Sequence, residues 1–450
     1  LLAGLNLTDV DNGADDDDPS VDLSTLAGFP AQWTNTTNAA ITFTIDVTPK
    51  FIPDDPNADP CSGMTQQISI TVEPTPLAEA QDIDGDTDPL TETICHNGQI
   101  QTTIDVLAID GHNYLVESIS TSGPVGGVAS APYTRADGET IDPGMLTNTS
   151  STVQTVTYTI RPYTDGPNLA DDSGDPDDCL GTAFDVVITV EPEAAAQAVD
   201  NDSNTDPNTE TICSGDTPVT TIDVTALDGN NFRIDEISNP DLVVGISTAP
   251  VVRGDGDLVE VNALTNTNST PGVVTYTIVP YTYGPNGVDE DGLGDDCPGP
   301  SFEVDITVNP EPVGGNDTDE TCSNVALNYD LQDNVNTLGN SVASDFSWTV
   351  VDNPDVTGEM NGSGDFITDN LVNVTNTDQV VVYTVTPTSE APANCEGATF
   401  TVTVTVHPEP VGGNDTDMTC SDVALNYDLQ NNVNTFGNGV ASDFAWTVVD

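Results

Sequence analysis

Basic side chains are almost absent from this sequence. Its 450 residues contain 75 acidic side chains but only 5 lysines and arginines, which gives a formal net charge of −70. A chain with so few cations cannot neutralise phosphates, and this excludes electrostatic binding to nucleic acid or to an anionic membrane surface. Long apolar runs are also missing, since none approaches the roughly 20 residues that span a bilayer. We therefore expect no nucleic-acid partner and no membrane insertion of this segment.

Residues that build helices and catalytic sites are scarce as well. The chain has 3 histidines, 4 methionines and 5% aromatic residues, while Thr, Val, Asn, Asp, Gly and Pro dominate. This composition is typical of strands and turns. Hydrophobic residues make up 36% of the chain in an alternating pattern, which predicts a folded protein in spite of the acidity. No GxSxG, P-loop, HExxH or dinucleotide fingerprint is present, so we expect no enzymatic activity.

The sequence repeats itself. Residues 313–352 recur at 411–450 with six substitutions. A looser repeat covers the rest of the chain, because a strand-like run ending in proline appears as ISITVEP, VVITVEP, VDITVNP and VTVTVHP, with its proline at Pro74, Pro192, Pro310 and Pro408. These prolines divide the chain into five segments, numbered here as the first to fifth repeats: 1–74, 75–192, 193–310, 311–408 and 409–450.

A second run before each proline alternates strictly between apolar and polar residues. The apolar positions are Ile41, Phe43, Ile45 and Val47, then Val156, Tyr158 and Ile160, then Val274, Tyr276 and Ile278. Period-two alternation predicts antiparallel strands with one buried face. Repeats of roughly 100 residues with several such strands predict an all-β chain of tandem immunoglobulin-like sandwiches, the first and fifth repeats being partial. The short proline-rich linkers predict a stiff, extended rod.

The eight cysteines occupy matching places in the repeats. Those near a repeat start are Cys95, Cys213, Cys322 and Cys420, and those before a final strand are Cys61, Cys179, Cys297 and Cys395. Pairing within a repeat is the simplest interpretation: Cys95 with Cys179, Cys213 with Cys297, and Cys322 with Cys395. Disulfides predict an extracytoplasmic compartment. Free structural thiols or a zinc site are the alternatives, but the chain has no CxxC pair and its histidines show no ligand spacing.

Pairing within repeats gives Cys61 and Cys420 no disulfide partner. Joining the fifth repeat of one copy to the first repeat of another separates these two cysteines by 91 residues, close to the 84 and 73 within other repeats. This predicts that 409–450 and 1–74 complete a fifth sandwich, so the expected partner is another copy of the chain. Subunits would join head to tail through a Cys420–Cys61 bond, or 450 residues would be one period of a longer array. An arbitrary truncation is the alternative.

Acidic residues concentrate in loops at matching places. The candidate metal ligands are Asp82, Asp84, Asp86, Asp88, Asp175, Asp177, Asp178, Asp200, Asp202, Asp206, Asp289, Asp291, Asp295 and Asp296. Clustered carboxylates repel one another unless a cation neutralises them, and hard oxygen ligands suit Ca²⁺, which we predict as the cofactor. An EF-hand started at Asp82 fails, because it places Thr87 where glycine is required. The alternative is a set of solvated loops that keep a salt-adapted protein soluble.

Several motifs resemble those of a known group. TICSGDTP near a repeat start, the central VTYTIVP and the closing CPGPSFEVDITVNPEP are similar to PKD-like and immunoglobulin-like tandem repeats of secreted surface proteins and adhesins, especially of Bacteroidota-type bacteria. The resemblance covers essentially the whole chain. It implies an extracellular location and a stalk, filament or matrix role.

These observations predict an extracellular structural protein, a stiff filament or adhesin stalk of disulfide-locked, calcium-bound sandwiches. The alternatives are an adhesin module that binds glycans or proteins, and an acidic envelope protein of a halophile. Trp348 and Trp446 lie in matching strand-like runs, so we expect both in a core. The sequons at Asn148 and Asn268 make attached glycans a further expectation.

Overall fold

The computed structural model describes residues 33–37, 39–51, 59, 61–81, 88–107, 113–164, 178–199, 206–225, 231–284 and 296–449. The regular secondary structure of these residues is almost all β, with two short helices, as the composition predicts. The chain divides into two compact units, Leu1–Ala194 with Ala226–Gly229 and Thr282–Pro298, and Ala195–Thr225 with Asn230–Tyr281 and Gly299–Asp450. Within the described ranges, no helix combines the length and the hydropathy that a membrane span requires.

The first repeat contributes a hairpin-like pair of strand ladders. Its strands are β1 (Ile41–Val47), β2 (Lys50–Phe51), β3 (Cys61–Ser62) and β4 (Gln66–Val72). Strand β1 pairs with β4 and β2 pairs with β3, both antiparallel.

The second repeat builds a sandwich. Its strands are β5 (Ala78–Gln81), β6 (Thr91–Ile94), β7 (Gly98–Gln99), β8 (Thr103–Val106), β9 (Asn113–Thr121), β10 (Val125–Gly126), β11 (Tyr133–Ala136), β12 (Met145–Asn148), β13 (Gln154–Thr164), β14 (Cys179–Leu180) and β15 (Phe184–Val190). The main sheet has the order β11-β9-β13-β15-β6, with β14 also paired to β13. Facing it are β10-β12-β7 and the pair β5-β8, and the two layers share one hydrophobic core.

The third repeat has a similar main sheet. Its strands are β16 (Ala196–Val199), β17 (Thr209–Cys213), β18 (Thr221–Val224), β19 (Asn231–Ser238), β20 (Val251–Gly254), β21 (Gly272–Thr282), β22 (Cys297–Pro298) and β23 (Phe302–Asn309). The order is β17-β23-β21-β19-β20, and β16 pairs with β18.

The fourth repeat adds a helix. Its elements are β24 (Asp317–Cys322), β25 (Val325–Ala326), β26 (Tyr329–Asp330), α1 (Leu331–Leu338), β27 (Ser344–Val350), β28 (Val356–Thr357), β29 (Gly362–Ser363), β30 (Phe366–Ile367), β31 (Asn370–Asn373), β32 (Gln379–Ser389) and β33 (Phe400–His407). The main sheet is β24-β33-β32-β27-β29. In the fifth repeat, residues 409–449 form only helix α2 (Leu429–Phe436) and no strand.

The central strands confirm the predicted alternation. Val156, Tyr158 and Ile160 are fully buried on β13, as are Val274, Tyr276 and Ile278 on β21. The helices were not predicted. Asp330 caps α1 by accepting a hydrogen bond from the Asp333 N–H, and Leu331 and Val335 bury one face, which is the i, i+4 spacing of an amphipathic helix.

A buried asparagine makes the same hydrogen bond in each of the first four repeats, and this defines which positions are equivalent. Asn148 donates through Nδ2 to the carbonyl of Val190, the last residue of β15, and Asn35 donates in the same way to Val72 at the end of β4. Asn266 and Asn373 repeat this bond to Val308 and Val406. Counting from these asparagines makes Phe43 equivalent to Val156 and Val381. The β1–β4 register is then identical to that of β32–β33, since Phe43 faces Ile70 as Val381 faces Val404.

The first strand of each main sheet pairs in parallel with the last strand of the same repeat. Strand β6 runs parallel to β15, β17 to β23 and β24 to β33. A repeat thus has two distinct ends. We call the end where the last strand begins the leading end, and the end where it runs into the next linker the trailing end.

Candidate functional site

Two disulfides join consecutive repeats. Cys95 is bonded to Cys297, with the Cα atoms 5.3 Å apart, and Cys213 is bonded to Cys395, with the Cα atoms 5.6 Å apart. In both bonds the early cysteine of one repeat pairs with the late cysteine of the next. The predicted pairs Cys95–Cys179, Cys213–Cys297 and Cys322–Cys395 are therefore wrong.

The parallel strand explains the correction. Strand β24 ends at Cys322, which faces His407 at the trailing end of β33, whereas Cys395 precedes the first residue of β33. A strand rises about 3.3 Å per residue, so the seven steps of β33 place roughly 23 Å between its ends. A disulfide requires Cα atoms within about 7 Å. The two cysteines of one repeat therefore lie too far apart to bond.

The same geometry brings cysteines of neighbouring repeats together. Cys213 faces Asn309 at the trailing end of β23, just before the linker to the fourth repeat. Cys395 lies at the leading end of the fourth repeat, where Pro312 of that linker packs so closely on Gly397 that no side chain fits there. Each disulfide thus spans a linker. In the chain-entropy account, closing a loop of 182 or 202 residues is worth about 5 kcal/mol.

A buried glutamate fixes the strand that carries the early cysteine. Glu210 on β17 accepts hydrogen bonds from the backbone N–H groups of Val219 and Thr220 and from the Thr220 hydroxyl, at 2.8, 3.0 and 2.6 Å. Glu92 on β6 does the same for Gln101 and Thr102. Burying a carboxylate costs free energy, and the three hydrogen-bond donors around each of these glutamates offset that cost.

The other four cysteines, all within the described ranges, are free thiols. Cys61, Cys322 and Cys420 are exposed and Cys179 is half-buried. Cys61 and Cys179 lie on β3 and β14, at the leading ends of the first and second repeats. Cys322 ends β24 at the trailing end of the fourth repeat, and Cys420 is its equivalent in the fifth.

Most predicted metal ligands fall outside the described residues: Asp82, Asp84, Asp86, Asp175, Asp177, Asp200, Asp202, Asp289, Asp291 and Asp295. Asp88 and Asp206 are exposed. Each accepts a hydrogen bond from the backbone N–H of the residue two positions later, which lies directly before the next strand. Asp178 is half-buried and Asp296 is buried, each directly before a cysteine. Within the described ranges, no group of three or more acidic, histidine or cysteine side chains could hold a metal ion.

Another buried carboxylate accepts a hydrogen bond from the central tyrosine in the second, third and fourth repeats. The hydroxyls of Tyr158, Tyr276 and Tyr383 donate to Asp142, Glu260 and Asp369, at 3.1, 3.2 and 2.8 Å. Burial, and then the adjacent carboxylate, raise the pKa of each tyrosine. Burial alone would raise the pKa of Glu260, but hydrogen bonds from Ser247, Asn262 and Val261 outweigh it and lower the pKa. These pairs are structural parts of the core.

Two described histidines and the sequon at Asn148 have structural contacts. His96 Nδ1 lies 2.8 Å from the carbonyl of Asn148. Asn148 itself is buried and fully hydrogen-bonded, so its sequon is not available to carry a glycan, while Asn268 is exposed. His407 contacts Asp378 and Glu320, and hydrogen bonds to these two carboxylates raise the pKa of its imidazole.

The fifth repeat presents an open apolar face. Trp348 of the fourth repeat is 7% exposed, but its equivalent Trp446 is 75% exposed, so the expectation of a core role for Trp446 is wrong. Leu425 is 61% exposed where Leu327 is 3% exposed. In the fourth repeat β27 pairs with β32, and residues 409–449 offer no equivalent of β32 or β33. The result is an open groove of about 730 Å³ lined by Leu425, Tyr427, Leu429, Val433 and Phe444.

The first repeat also leaves apolar side chains exposed. Val47 and Ile68 are 37% and 41% exposed, although their equivalents on β32 and β33, Val385 and Val402, are fully buried. Trp33 stacks on Phe43 with ring centroids 4.4 Å apart, on the same face. The predicted burial of the apolar face of β1 holds only for Ile45, which is 9% exposed.

One family profile agrees with this fold. The sequence profile of the PKD-like domain matches residues 92–194 and 319–410. No curated protein sequence matches the chain. Among solved structures, Drosophila N-cadherin EC1-4 is similar at 12% identity over 83% of this chain and 84% of that one, with a TM-score of 0.21. Mouse cadherin-23 EC22-24 is similar at 10% identity over 74% and 98%, with a TM-score of 0.24.

Fibronectin(III)-like modules of Clostridium thermocellum CbhA are similar at 10% identity over 52% of this chain and 95% of theirs, with a TM-score of 0.19. At such TM-scores these likenesses support no argument about function. The fold rests on the strand order and the matched regions. The described residues form immunoglobulin-like β-sandwich domains in tandem, and the second and fourth repeats match the PKD-like domain.

Proposed function

We propose that the protein is a load-bearing extracellular stalk or filament of the kind found in secreted bacterial surface proteins, and that it is not an enzyme. The observation that carries the proposal is the pair of inter-repeat disulfides. A disulfide inside one sandwich would stabilise that sandwich alone. A disulfide from the trailing end of one repeat to the leading end of the next instead restrains the linker, where a tandem array would otherwise bend.

The same bonds support the proposed extracellular location, since such disulfides persist in oxidising compartments. The high negative charge supports it, because a strongly charged surface keeps an extended chain soluble and prevents lateral association.

The test compares rod stiffness with and without the bonds. Wild-type protein, the Cys95→Ser/Cys213→Ser variant and the Cys322→Ser control are imaged singly by rotary-shadowing electron microscopy. We expect straight particles for wild type and control, and bends at the linkers for the double variant. Equal bending in all three proteins would contradict the proposal.

We also propose that Ca²⁺ binds at the leading ends. Asp88 lies three residues before β6, and Leu90, directly before β6, accepts a hydrogen bond from Val187 in the middle of β15. Asp178 directly precedes β14 in the same sheet. Asp88 and Asp178 therefore lie towards the same end of the second repeat. Thermal unfolding in millimolar Ca²⁺ tests this, with Mg²⁺ as the control. A melting temperature that does not change with Ca²⁺ would remove calcium from the account.

A further inference from the structure

We propose that Ca²⁺ binds beside Asp296 and the hydroxyl of Thr282 at the leading end of the third repeat, and that the bound ion protects the Cys95–Cys297 disulfide from reduction. This inference rests on the proposed calcium binding at the leading ends. To that proposal it adds a pair of ligands, a repeat that lacks the site, and a role for the ion.

The first argument comes from two equivalent threonine hydroxyls. Thr164 and Thr282 are the last residues of β13 and β21, six residues after the central tyrosine of their repeats, and each is 2% exposed. Within the described ranges, Oγ1 of both residues is buried and makes no hydrogen bond. Burying a hydroxyl in this way costs free energy, and native proteins rarely do it. Its occurrence at the same position of two repeats indicates an oxygen that is placed to bind a ligand.

The second argument is that a carboxylate lies beside each hydroxyl. Thr164 faces Cys179 in the β13–β14 ladder, and Asp178 directly precedes that cysteine. Strand β22 likewise pairs with β21 and begins at Cys297, directly after Asp296. Oδ1 of each aspartate is buried. Hydroxyl and carboxylate oxygens are hard ligands that suit Ca²⁺, and backbone carbonyls and water fill its remaining positions.

The fourth repeat provides an internal control. Its equivalent hydroxyl belongs to Ser389, the last residue of β32, and accepts a hydrogen bond from the backbone N–H of Cys395 at 2.8 Å. The residue before that cysteine is Asn394, which is exposed, whereas Asp296 is 5% exposed. The fourth repeat thus satisfies its hydroxyl with its own backbone and has asparagine in place of the aspartate. We therefore expect no ion there.

The charge of the chain favours an ion over a buried water as the ligand. A water would satisfy the threonine hydroxyl equally well, but it would not compensate the charge of the adjacent carboxylate. With 5 lysines and arginines against 75 acidic side chains, the protein depends on dissolved cations for most of its charge compensation.

The bound ion acts on the adjacent disulfide. Cys297 directly follows Asp296 and is 2% exposed, so we expect reduction of its bond to follow local opening of this end of the repeat. Opening separates β22 from β21, and with them Asp296 from Thr282, so the ion must leave first. At a Ca²⁺ concentration of roughly ten times Kd, binding lowers the open population about tenfold. Cys213–Cys395 is the matched bond, since Cys395 is 1% exposed and its repeat lacks the site.

The test measures the initial rate of reduction of each bond in the full-length chain with Ca²⁺, with Mg²⁺ or with neither ion. A dithiothreitol thiolate attacks one sulfur and its second thiol displaces the protein sulfur, which yields cyclic oxidised dithiothreitol and two protein thiols. Samples are alkylated at intervals, and the linked peptides are quantified by mass spectrometry. We expect Ca²⁺ to slow reduction of Cys95–Cys297 about tenfold and to leave Cys213–Cys395 unchanged, while Mg²⁺ controls for the screening of charge.

Three variants test the ligands. Thr282→Val removes the hydroxyl and keeps the shape of the side chain, so we expect it to fold and to lose the protection by Ca²⁺. Asp296→Asn, which copies the fourth repeat, should do the same, and the control Ser389→Ala should keep the protection. Equal protection of both bonds, or a Thr282→Val variant that Ca²⁺ protects as well as wild type, would overturn the inference.

Equal reduction rates with and without Ca²⁺ would overturn it as well. Calorimetric titration of wild type with Ca²⁺ then decides the broader proposal. Binding without protection leaves calcium at the leading ends and removes only the role described here, whereas a titration without binding removes both. The stalk proposal depends on the presence of the two disulfides and is unaffected by either result.

Discussion

When one molecule is pulled by its ends, the inter-repeat disulfides should limit the length to which the chain can be extended. In the reduced chain, 300 residues separate Cys95 from Cys395. At 3.3–3.6 Å per extended residue this segment reaches about 1,000 Å when unfolded. In the oxidised chain the shortest covalent path crosses from Cys95 to Cys297, returns along the backbone to Cys213, and crosses to Cys395.

That path contains only the 84 residues between positions 213 and 297, which reach about 290 Å. Disulfides within repeats would leave only residues 179–213 and 297–322, 59 residues or about 200 Å. Cys95→Ser should lengthen the path to the 118 residues between 95 and 213, about 400 Å, while Cys322→Ser should not change it.

Single-molecule force spectroscopy with and without reductant measures these lengths. The reasoning predicts a limit near 290 Å for this segment under oxidising conditions and its release to about 1,000 Å on reduction. It would be refuted by an oxidised limit near 200 Å, or by a Cys322→Ser variant that extends further than wild type.

Three further predictions concern single side chains. Trp348→Ala should cost about 3–5 kcal/mol of the free energy of unfolding of its repeat, whereas Trp446→Ala should cost less than about 0.5 kcal/mol, and equal costs in urea unfolding would contradict the open face. Tyr383→Phe removes a donor from buried Asp369 and should cost about 1–2 kcal/mol, while a neutral result would remove the pair from the stabilising contacts. His407 has a raised folded pKa, so its contribution is complete below the unfolded value of about 6.5 and is lost as pH rises through the folded pKa. Melting temperatures from pH 5 to 9 should show that loss in wild type and not in His407→Gln.

The sequence predicts the sandwiches well because alternation is a local signal. Val156, Tyr158 and Ile160 are buried as their spacing requires, and the repeated prolines mark where each last strand ends. Burial itself is not local. Residues 344–350 and 442–448 differ only at Ser347 and Ala445, yet the first segment is a strand and the second is not, because β32 is present beside only one of them.

The disulfide partners could not be predicted from spacing. Pairings within and between repeats both fit the regular positions of the cysteines, and choosing between them requires the direction of the first strand. That strand pairs in parallel with the last one, an arrangement that period-two alternation does not reveal. Asp88 and Asp206 were predicted as ligands from clustering alone, while their contacts in the structure are those of turn residues.

The covalent connectivity tests the central claim most directly. Trypsin is unsuitable for a chain with 5 lysines and arginines, so the unreduced protein is digested with a protease that cleaves at aspartate, and the linked peptides are identified by mass spectrometry. The account predicts peptides that join Cys95 to Cys297 and Cys213 to Cys395. Peptides that join Cys95 to Cys179 and Cys213 to Cys297 would contradict it.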